Sequence, residues 1–384
     1  MASFQVCYVM KRYLTPFFEG YTVGSKNLIK AAYLGGVKAT VFSAEPHYHD
    51  KNKNDTYVIH SLFAERVHLD NLMTASCVSL SSSLHDYDII HFLPNLAGDI
   101  YASFSLPKLR KKPIKIAHLA HPYHPYIHSP FSHFRLSLLY ENVLDYAFCT
   151  TGFLANYFQK NTRLPASRIF CVPFPIDTDY FRPLPRKERL RERYNLSKGY
   201  IIAFVGQIEP VRGVFLLLHA FRKLTKIIDN VQLVLSSPGQ LYEEPYIVTF
   251  NKIVKKLQLE DRVVLLGPQR HLEEIYNLAD IVVFPYIKPY YYMDPPLTLL
   301  EAMASGAVVV ASAVGSANEL VTNGKNGKLI KPKSVEALAE AIVDVIRNKD
   351  DYKSLGVNAR ETIVSKFSMN TVGSIMRQIY ESIL

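Results

Sequence analysis

Short apolar runs rich in β-branched residues alternate with segments of helical periodicity along the whole chain. In the first half the strand-like runs are Phe4–Met10, Lys38–Ala44, Tyr87–Pro94, Ile114–His121, Tyr146–Thr151 and Arg168–Asp177. Helical patterns fall between them at Val23–Leu34, Phe131–Asp145 and Phe153–Asn161. Strands separated by helices predict right-handed βαβ crossovers and a parallel sheet covered on both faces. Phe4–Met10 reads FQVCYVM, nearly continuous in apolar character, as a strand buried on both faces should.

The texture changes at Arg182. RPLPRKERLRERYNLSKG is charged and opens on two prolines, which predicts a linker ending in a short, solvated helix. A second alternating series follows, with strands at Tyr200–Gln207, Val231–Ser237, Arg262–Gly267, Ile281–Tyr286, Val308–Ala313 and Lys328–Ile330. Its helices include Val214–Lys226, Leu297–Ser305 and Val335–Asn348. The pattern therefore predicts an α/β chain of two doubly wound units in tandem. Ligands in such sheets bind beyond the carboxyl ends of the strands, so two units facing each other would enclose a cleft. The expected boundaries are 1–180 for the first domain, 181–198 for the linker and 199–366 for the second. Residues 367–384 form a C-terminal helix whose stripe of Val372, Ile375, Met376, Ile379, Tyr380 and Ile383 is expected to pack back on the first domain.

At 384 residues the chain has length for two cores, and 48% hydrophobic against 20% charged residues argues against disorder. Cys7, Cys77, Cys149 and Cys171 lie far apart without metal-ligand spacing, which predicts buried thiols in a reducing compartment. Phe4–Met10 has no basic segment before it and reads as a first strand, not a secretory signal. No run reaches the roughly 18–20 apolar residues that span a bilayer. The expectation is a cytoplasmic protein that could rest on the inner face of a membrane.

The net charge of +10 suits nucleic acid, an anionic membrane or phosphorylated small molecules. No RNA-binding signature or basic–aromatic ladder is present, which argues against nucleic acid. The run KLRKKPIK contains no acid, so Lys108, Arg110, Lys111, Lys112 and Lys115 are the candidate contacts for an anionic membrane or acceptor.

Three loops follow strands where phosphate or sugar could bind, the third being Ser312–Ile330 with Gly315 and Glu319. In the first, Gly206-Gln207 follows a strand and Arg212-Gly213 precedes a helix. Gly206 would admit a ligand to the backbone, the helix start offers free N–H groups, and Arg212 brings a cation; a purely structural junction is the alternative. In the second, Asp294-Pro295-Pro296-Leu297-Thr298 leads into a helix where Glu301 sits among Leu299, Leu300, Ala302 and Met303. A carboxylate in that company must be paired or bind something, because an isolated buried charge is expensive. A ribose diol could donate two hydrogen bonds to it; an internal ion pair with Arg or Lys is the alternative.

Four patterns recur in order over Arg262–Ile346. They are Leu266-Gly267 with Leu272-Glu273-Glu274-Ile275-Tyr276 and Ala279-Asp280-Ile281; Leu300-Glu301-Ala302-Met303-Ala304-Ser305-Gly306; Gly315 with Glu319; and Asn323-Gly324-Lys325-Asn326-Gly327. Together they resemble the donor-binding domain of the retaining family-four glycosyltransferases of the GT-B fold. Val172-Pro173-Phe174-Pro175-Ile176-Asp177 is similar to a further family element. The resemblance implies two Rossmann-like domains, with acceptor binding in the first and nucleotide-sugar binding in the second. It implies metal-independent transfer of a sugar, with retention, from a nucleotide diphosphate sugar to a glycan or lipid-linked acceptor. It assigns Glu301 to the ribose, Arg212 to the diphosphate, His121 to the active site facing the sugar, and the Gly20 loop to the diphosphate. Gly206, Gln207, Asp294 and the helix start at Pro296, Leu297 and Thr298 complete the implied donor site, and no resident cofactor is implied.

The chain departs from the family where Met293 replaces the first glutamate of the E-x7-E element, with Asp294 one residue out of register, and where Gln207 replaces an arginine. Two other readings stay open: another GT-B enzyme such as a nucleotide-sugar epimerase, and a catalytically silent sugar-nucleotide binder. The histidines at 118, 121, 124, 128 and 133 lack a helical zinc pair, and the prolines among them predict an irregular loop and not a metal site. His118 competes with His121 for the active-site role but points to the opposite face of its strand.

Overall fold

The computed structural model describes residues 4–10, 20–43, 58–61, 86–93, 113–120, 144–185, 187–196, 198–238, 244–289 and 293–384. In chain order these form β1 (Gln5–Met10), α1 (Gly20–Leu34), β2 (Lys38–Ser43), β3 (Val58–Ser61), β4 (Ile89–Leu93), β5 (Ile114–Leu119), β6 (Tyr146–Cys149), α2 (Gly152–Asn161) and β7 (Ile169–Cys171). There follow α3 (Lys187–Arg193), β8 (Tyr200–Val205), α4 (Val214–Leu224), β9 (Val231–Ser236), α5 (Glu244–Lys256), β10 (Val263–Leu266), α6 (Leu272–Leu278) and β11 (Ile281–Phe284). The chain ends with α7 (Leu297–Ala304), β12 (Val309–Ser312), α8 (Ala317–Leu320), β13 (Lys328–Ile330), α9 (Val335–Arg347), α10 (Lys349–Phe367) and α11 (Met369–Ile383). Two compact units result. One takes the described residues of 1–175, 291–294 and 367–384, the other those of 176–290 and 295–366.

The first unit holds a parallel sheet of order β3-β2-β1-β4-β5-β6-β7. Val6 to Met10 are all buried, as the unbroken apolar run of β1 requires. The expected strand Arg168–Asp177 shrinks to Ile169–Cys171, because Pro173 and Pro175 have no N–H to offer the ladder. β3, the edge strand beside β2, is not among the expected strands. The helix expected at 131–145 lies outside the described residues, apart from its last two positions. Cys7 and Cys149 are buried as expected, but Cys171 is exposed at the end of the edge strand, and Cys77 lies outside the described residues.

The C-terminal helix α11 belongs to this unit. Its N-cap is Ser368, whose Oγ accepts from Thr371 N, and it lies along α1 with backbones in contact. A Cβ built on Gly373 would come within 2.1 Å of the Ala31 carbonyl oxygen, so only glycine allows this approach. Val372, Met376 and Tyr380 of the expected stripe are buried. The Tyr380 hydroxyl meets Tyr8 at 3.0 Å and His91 Nδ1 at 2.6 Å, which puts a hydrogen-bond chain in the sheet core.

The second unit holds a parallel sheet of order β10-β9-β8-β11-β12-β13. β8 has β9 on one side and β11 on the other, so the winding reverses beside it. Phe204, Leu217, Leu218, Phe221, Leu233 and Ile342 form part of a core between this sheet and α4 and α9. The charged stretch before β8 is a helix, α3, as expected, but it is not simply solvated. Arg191 pairs with Asp280 at 3.1 Å and Arg193 with Glu274 at 2.5 Å, docking α3 on α6 and the start of β11.

Candidate functional site

A doubly wound sheet opens a crevice where its winding reverses, beyond the carboxyl ends of the flanking strands. In the second unit those ends are Val205 of β8 and Phe284 of β11, and the loops that follow them carry two sets of predicted residues. Gly206 takes φ +147°, a conformation other residues rarely adopt, and its N–H is held by the Ser236 carbonyl. The Arg212 guanidinium lies against its Cα, at 3.0 Å from where a Cβ would stand. Arg212 ends a one-turn 3-10 helix, Pro210–Arg212. Its Nη2 donates to Gln207 Oε1 at 2.7 Å and its Nη1 to the Tyr286 hydroxyl at 3.0 Å. Glu209 Oε2 is 3.8 Å from Nε, and the Tyr286 ring centroid is 5.8 Å from Cζ.

The second set sits on α7. Pro296 is its N-cap, with extended backbone and no side-chain cap; its carbonyl accepts from Leu299 N at 3.0 Å. Thr298 Oγ1 is buried and has no hydrogen-bond partner among the described residues. Glu301 is 6% exposed. The Tyr276 hydroxyl donates to its Oε2 at 2.8 Å, and no described Lys or Arg forms an ion pair with it. Burial pushes its carboxyl up to about 7; the Tyr276 hydrogen bond opposes that rise and the nearby Glu273 carboxylate adds to it. Glu273 is itself buried. His271 Nδ1 lies 3.0 Å from its Oε1, and its Oε2 has no hydrogen-bond partner among the described residues.

The structure thus groups Gly206, Gln207 and Arg212 on one loop and Pro296, Leu297, Thr298 and Glu301 on one short helix, all in the second unit. Asp294 is placed differently, in the first unit. Its N–H donates to the Ala120 carbonyl at 2.8 Å and its carbonyl accepts from Thr150 Oγ1 at 2.7 Å, so its backbone is fixed at the ends of β5 and β6. Gly20 also lies in the first unit, as the first residue of α1 and not in a loop before it, because the helix begins earlier than the apolar pattern suggested. His121 and the basic residues Lys108, Arg110, Lys111 and Lys112 lie outside the described residues; Lys115 is half-buried on β5.

His118 takes no part in an open site. It is fully buried, stacked on Phe174 at 4.9 Å and on His91 at 5.4 Å. Burial lowers its pKa to about 3, so it is a neutral core ring. Among the described residues no group of three or more His, Cys, Asp or Glu is arranged to hold a metal ion, and no helix is long and apolar enough to cross a membrane. Tyr276 and Tyr286 were not among the expected site residues. Tyr276 lies inside a recognised pattern, but nothing local reveals that its hydroxyl reaches a carboxylate 25 positions away.

Residues 186–362 match the model of the family described as "Glycosyl transferases group 1". A GDP-mannose-dependent alpha-(1-6)-phosphatidylinositol monomannoside mannosyltransferase of Mycobacterium tuberculosis is 27% identical over 216 residues, 55% of each chain. The chain spans about half the length of the curated relatives it matches. Among solved structures, a glycosyltransferase from Rickettsia africae overlays with a TM-score of 0.82 at 19% identity, covering 99% of this chain and 98% of that one. Anabaena HepE in complex with UDP overlays at 0.80 and 18% identity, covering 98% and 100%. Residues 186–362 are thus similar to the group 1 glycosyltransferases, and the chain's two parallel sheets carry the GT-B fold of these solved structures.

Proposed function

We propose that the chain transfers a sugar from a nucleoside diphosphate sugar to a glycan or lipid-linked acceptor, with retention of configuration and without a metal ion. The observation that carries this is Glu301: a buried carboxylate with a tyrosine hydroxyl on one oxygen and no cation beside it among the described residues. The 2′- and 3′-hydroxyls of a ribose are neutral donors that suit such an acceptor, where a second charge would not be needed.

In this reading Arg212 and the uncapped start of α7 face the donor's diphosphate and stabilise the charge that grows on it as the glycosidic bond breaks. That is the part a divalent cation would otherwise play. The departing phosphate then takes the acceptor hydroxyl's proton on the same face of the sugar, so no side-chain base is required. The first unit supplies acceptor contacts, and Lys108, Arg110, Lys111, Lys112 and Lys115 bring the chain to an anionic membrane surface. The mannosyltransferase relative, named for a phosphatidylinositol acceptor, and the UDP bound to the HepE structure are consistent with this reading.

A second reading, a silent nucleotide-sugar binder, draws on Met293, a buried apolar side chain where the family carries a glutamate. A thermal-shift screen of UDP, GDP and ADP, followed by turnover assays with the matching sugars in the presence of a chelator, separates the two. Loss of the nucleotide shift in Glu301→Ala with turnover in the parent is the expected result. An unchanged shift removes the ribose assignment, and binding without turnover across donors and acceptors favours the silent binder.

A further inference from the structure

Arg212 is held by its neighbours in a way that its assigned role does not by itself require. Gln207 Oε1 accepts from Nη2 and the Tyr286 hydroxyl from Nη1, so the guanidinium plane is fixed at two corners. The two acceptors come from different strand ends. Gln207 follows β8, while Tyr286 follows β11, and the two loops are tied by the Ile287 N–H, which donates to the Val211 carbonyl at 3.0 Å. Both acceptors are neutral. They direct the group without adding counter-charge of their own; among the described residues the counter-charge comes from Glu209, whose Oε2 pairs with Nε at 3.8 Å.

An arginine side chain has rotamer freedom to lose when it grips an anion. Orienting it beforehand removes that cost from binding. Where the family carries an arginine at position 207, this chain has a glutamine, and the structure shows what the glutamine does: its carbonyl oxygen turns toward Arg212. We infer that Gln207 and Tyr286 are positioning residues that pre-orient the Arg212 guanidinium for a diphosphate, so that one aimed cation serves where the family uses two. The inference rests on the diphosphate reading of the Gly206–Gly213 loop given above.

Inorganic pyrophosphate is a suitable probe, with affinity measured by calorimetry on the full chain. Tyr286→Phe keeps the ring and removes the hydroxyl acceptor; Gln207→Met keeps the length and removes the carbonyl. Each should weaken pyrophosphate binding about three- to tenfold while leaving the ligand-free melting temperature in place. Gln207→Glu keeps an acceptor but adds a counter-charge, and should weaken binding more than Gln207→Met. The deciding arm is the Arg212→Ala background, in which Tyr286→Phe and Gln207→Met should have no further effect, since each acts through the missing guanidinium. Persistence of their effect there, or no effect in the parent, overturns the positioning role and leaves the diphosphate reading intact. Arg212→Ala binding pyrophosphate as the parent does, or a parent that does not bind it, overturns both.

Discussion

The Tyr276 hydroxyl and the Glu301 carboxylate are joined by a 2.8 Å hydrogen bond between two buried side chains of neighbouring helices, α6 and α7. A lone hydroxyl donor does not offset the desolvation of a carboxylate, and Glu273 adds like charge, so the carboxyl is pushed up to about 7. The same arrangement leaves an acceptor ready for neutral donors.

The first prediction concerns pH and stability. Glu301 titrates at about 7 in the fold against 4.5 ordinarily. The folded state therefore holds a proton that the unfolded chain releases, and stability from this group is complete below pH 4.5 and lost as pH rises through 7. The loss is of order 3 kcal/mol by linkage. Urea unfolding of Glu301→Gln at pH 5 and pH 8 should show the pH dependence reduced, with the variant more stable than the parent at pH 8. Equal slopes for the two proteins would show that Glu301 does not titrate in this range.

A second prediction follows for Tyr276→Phe. Removing the hydroxyl takes away the contact that opposes the upward shift, so Glu301 should ionise at still higher pH. Since a ribose diol is accepted best by the carboxylate, nucleotide affinity at pH 7 should fall several-fold and recover toward the parent's value at pH 9. Calorimetric titration with UDP or GDP across that range checks it; a uniform loss at every pH would mean that the ring's packing and not the ionisation of Glu301 is at stake.

Much of this was legible in the sequence, for identifiable reasons. Glu301 stood out because Leu299, Leu300, Ala302 and Met303 surround it on a helix, and burial of that stretch follows from pattern alone. Its hydroxyl partner did not, because pairing across α6 and α7 depends on tertiary packing that no local period encodes. The β1 and β8 runs were readable as buried strands, whereas β3, an edge strand with His60 between Ile59 and Ser61, was not. The helix α3 was foreseen, but its docking through Arg191 and Arg193 was not, since a mixed-charge run looks the same whether its arginines meet solvent or carboxylates on another helix. Arg212 was recognised as the loop's cation; Tyr286, which holds it, lies 74 positions downstream and carries no signal until the two loops meet.

The third prediction is a pH dependence of opposite sign in the first unit. Burial drives the pKa of His91 well below 6.5, with the neighbouring His118 adding to the effect, and that of His118 to about 3. Both rings are neutral in the fold while the unfolded chain protonates them, so their stability is present above pH 6.5 and lost as pH falls below it. His118→Phe keeps an aromatic ring against Phe174 and should flatten the acid limb of the unfolding midpoint by about one proton's worth. An unchanged limb would place the acid sensitivity elsewhere.

The last prediction concerns the hydrogen-bond chain that ties α11 into its sheet. The Tyr380 hydroxyl is the central member, with His91 Nδ1 at 2.6 Å and the Tyr8 hydroxyl at 3.0 Å. Its ring also stacks on Phe148 at 5.9 Å. Tyr380→Phe retains that stacking and strands two buried polar groups at once, each at a cost of about 1–3 kcal/mol. Tyr8→Phe removes only the outer member and should cost the smaller end of that range, about 1 kcal/mol. The two changes share one contact, so the double variant should be less destabilised than the sum of the singles. Urea unfolding of the three proteins gives the comparison. If Tyr8→Phe costs as much as Tyr380→Phe, then the link to His91 contributes nothing, and the Tyr8–Tyr380 bond carries the whole polar tie of α11 to the sheet, beside its apolar stripe and its close passage along α1 at Gly373.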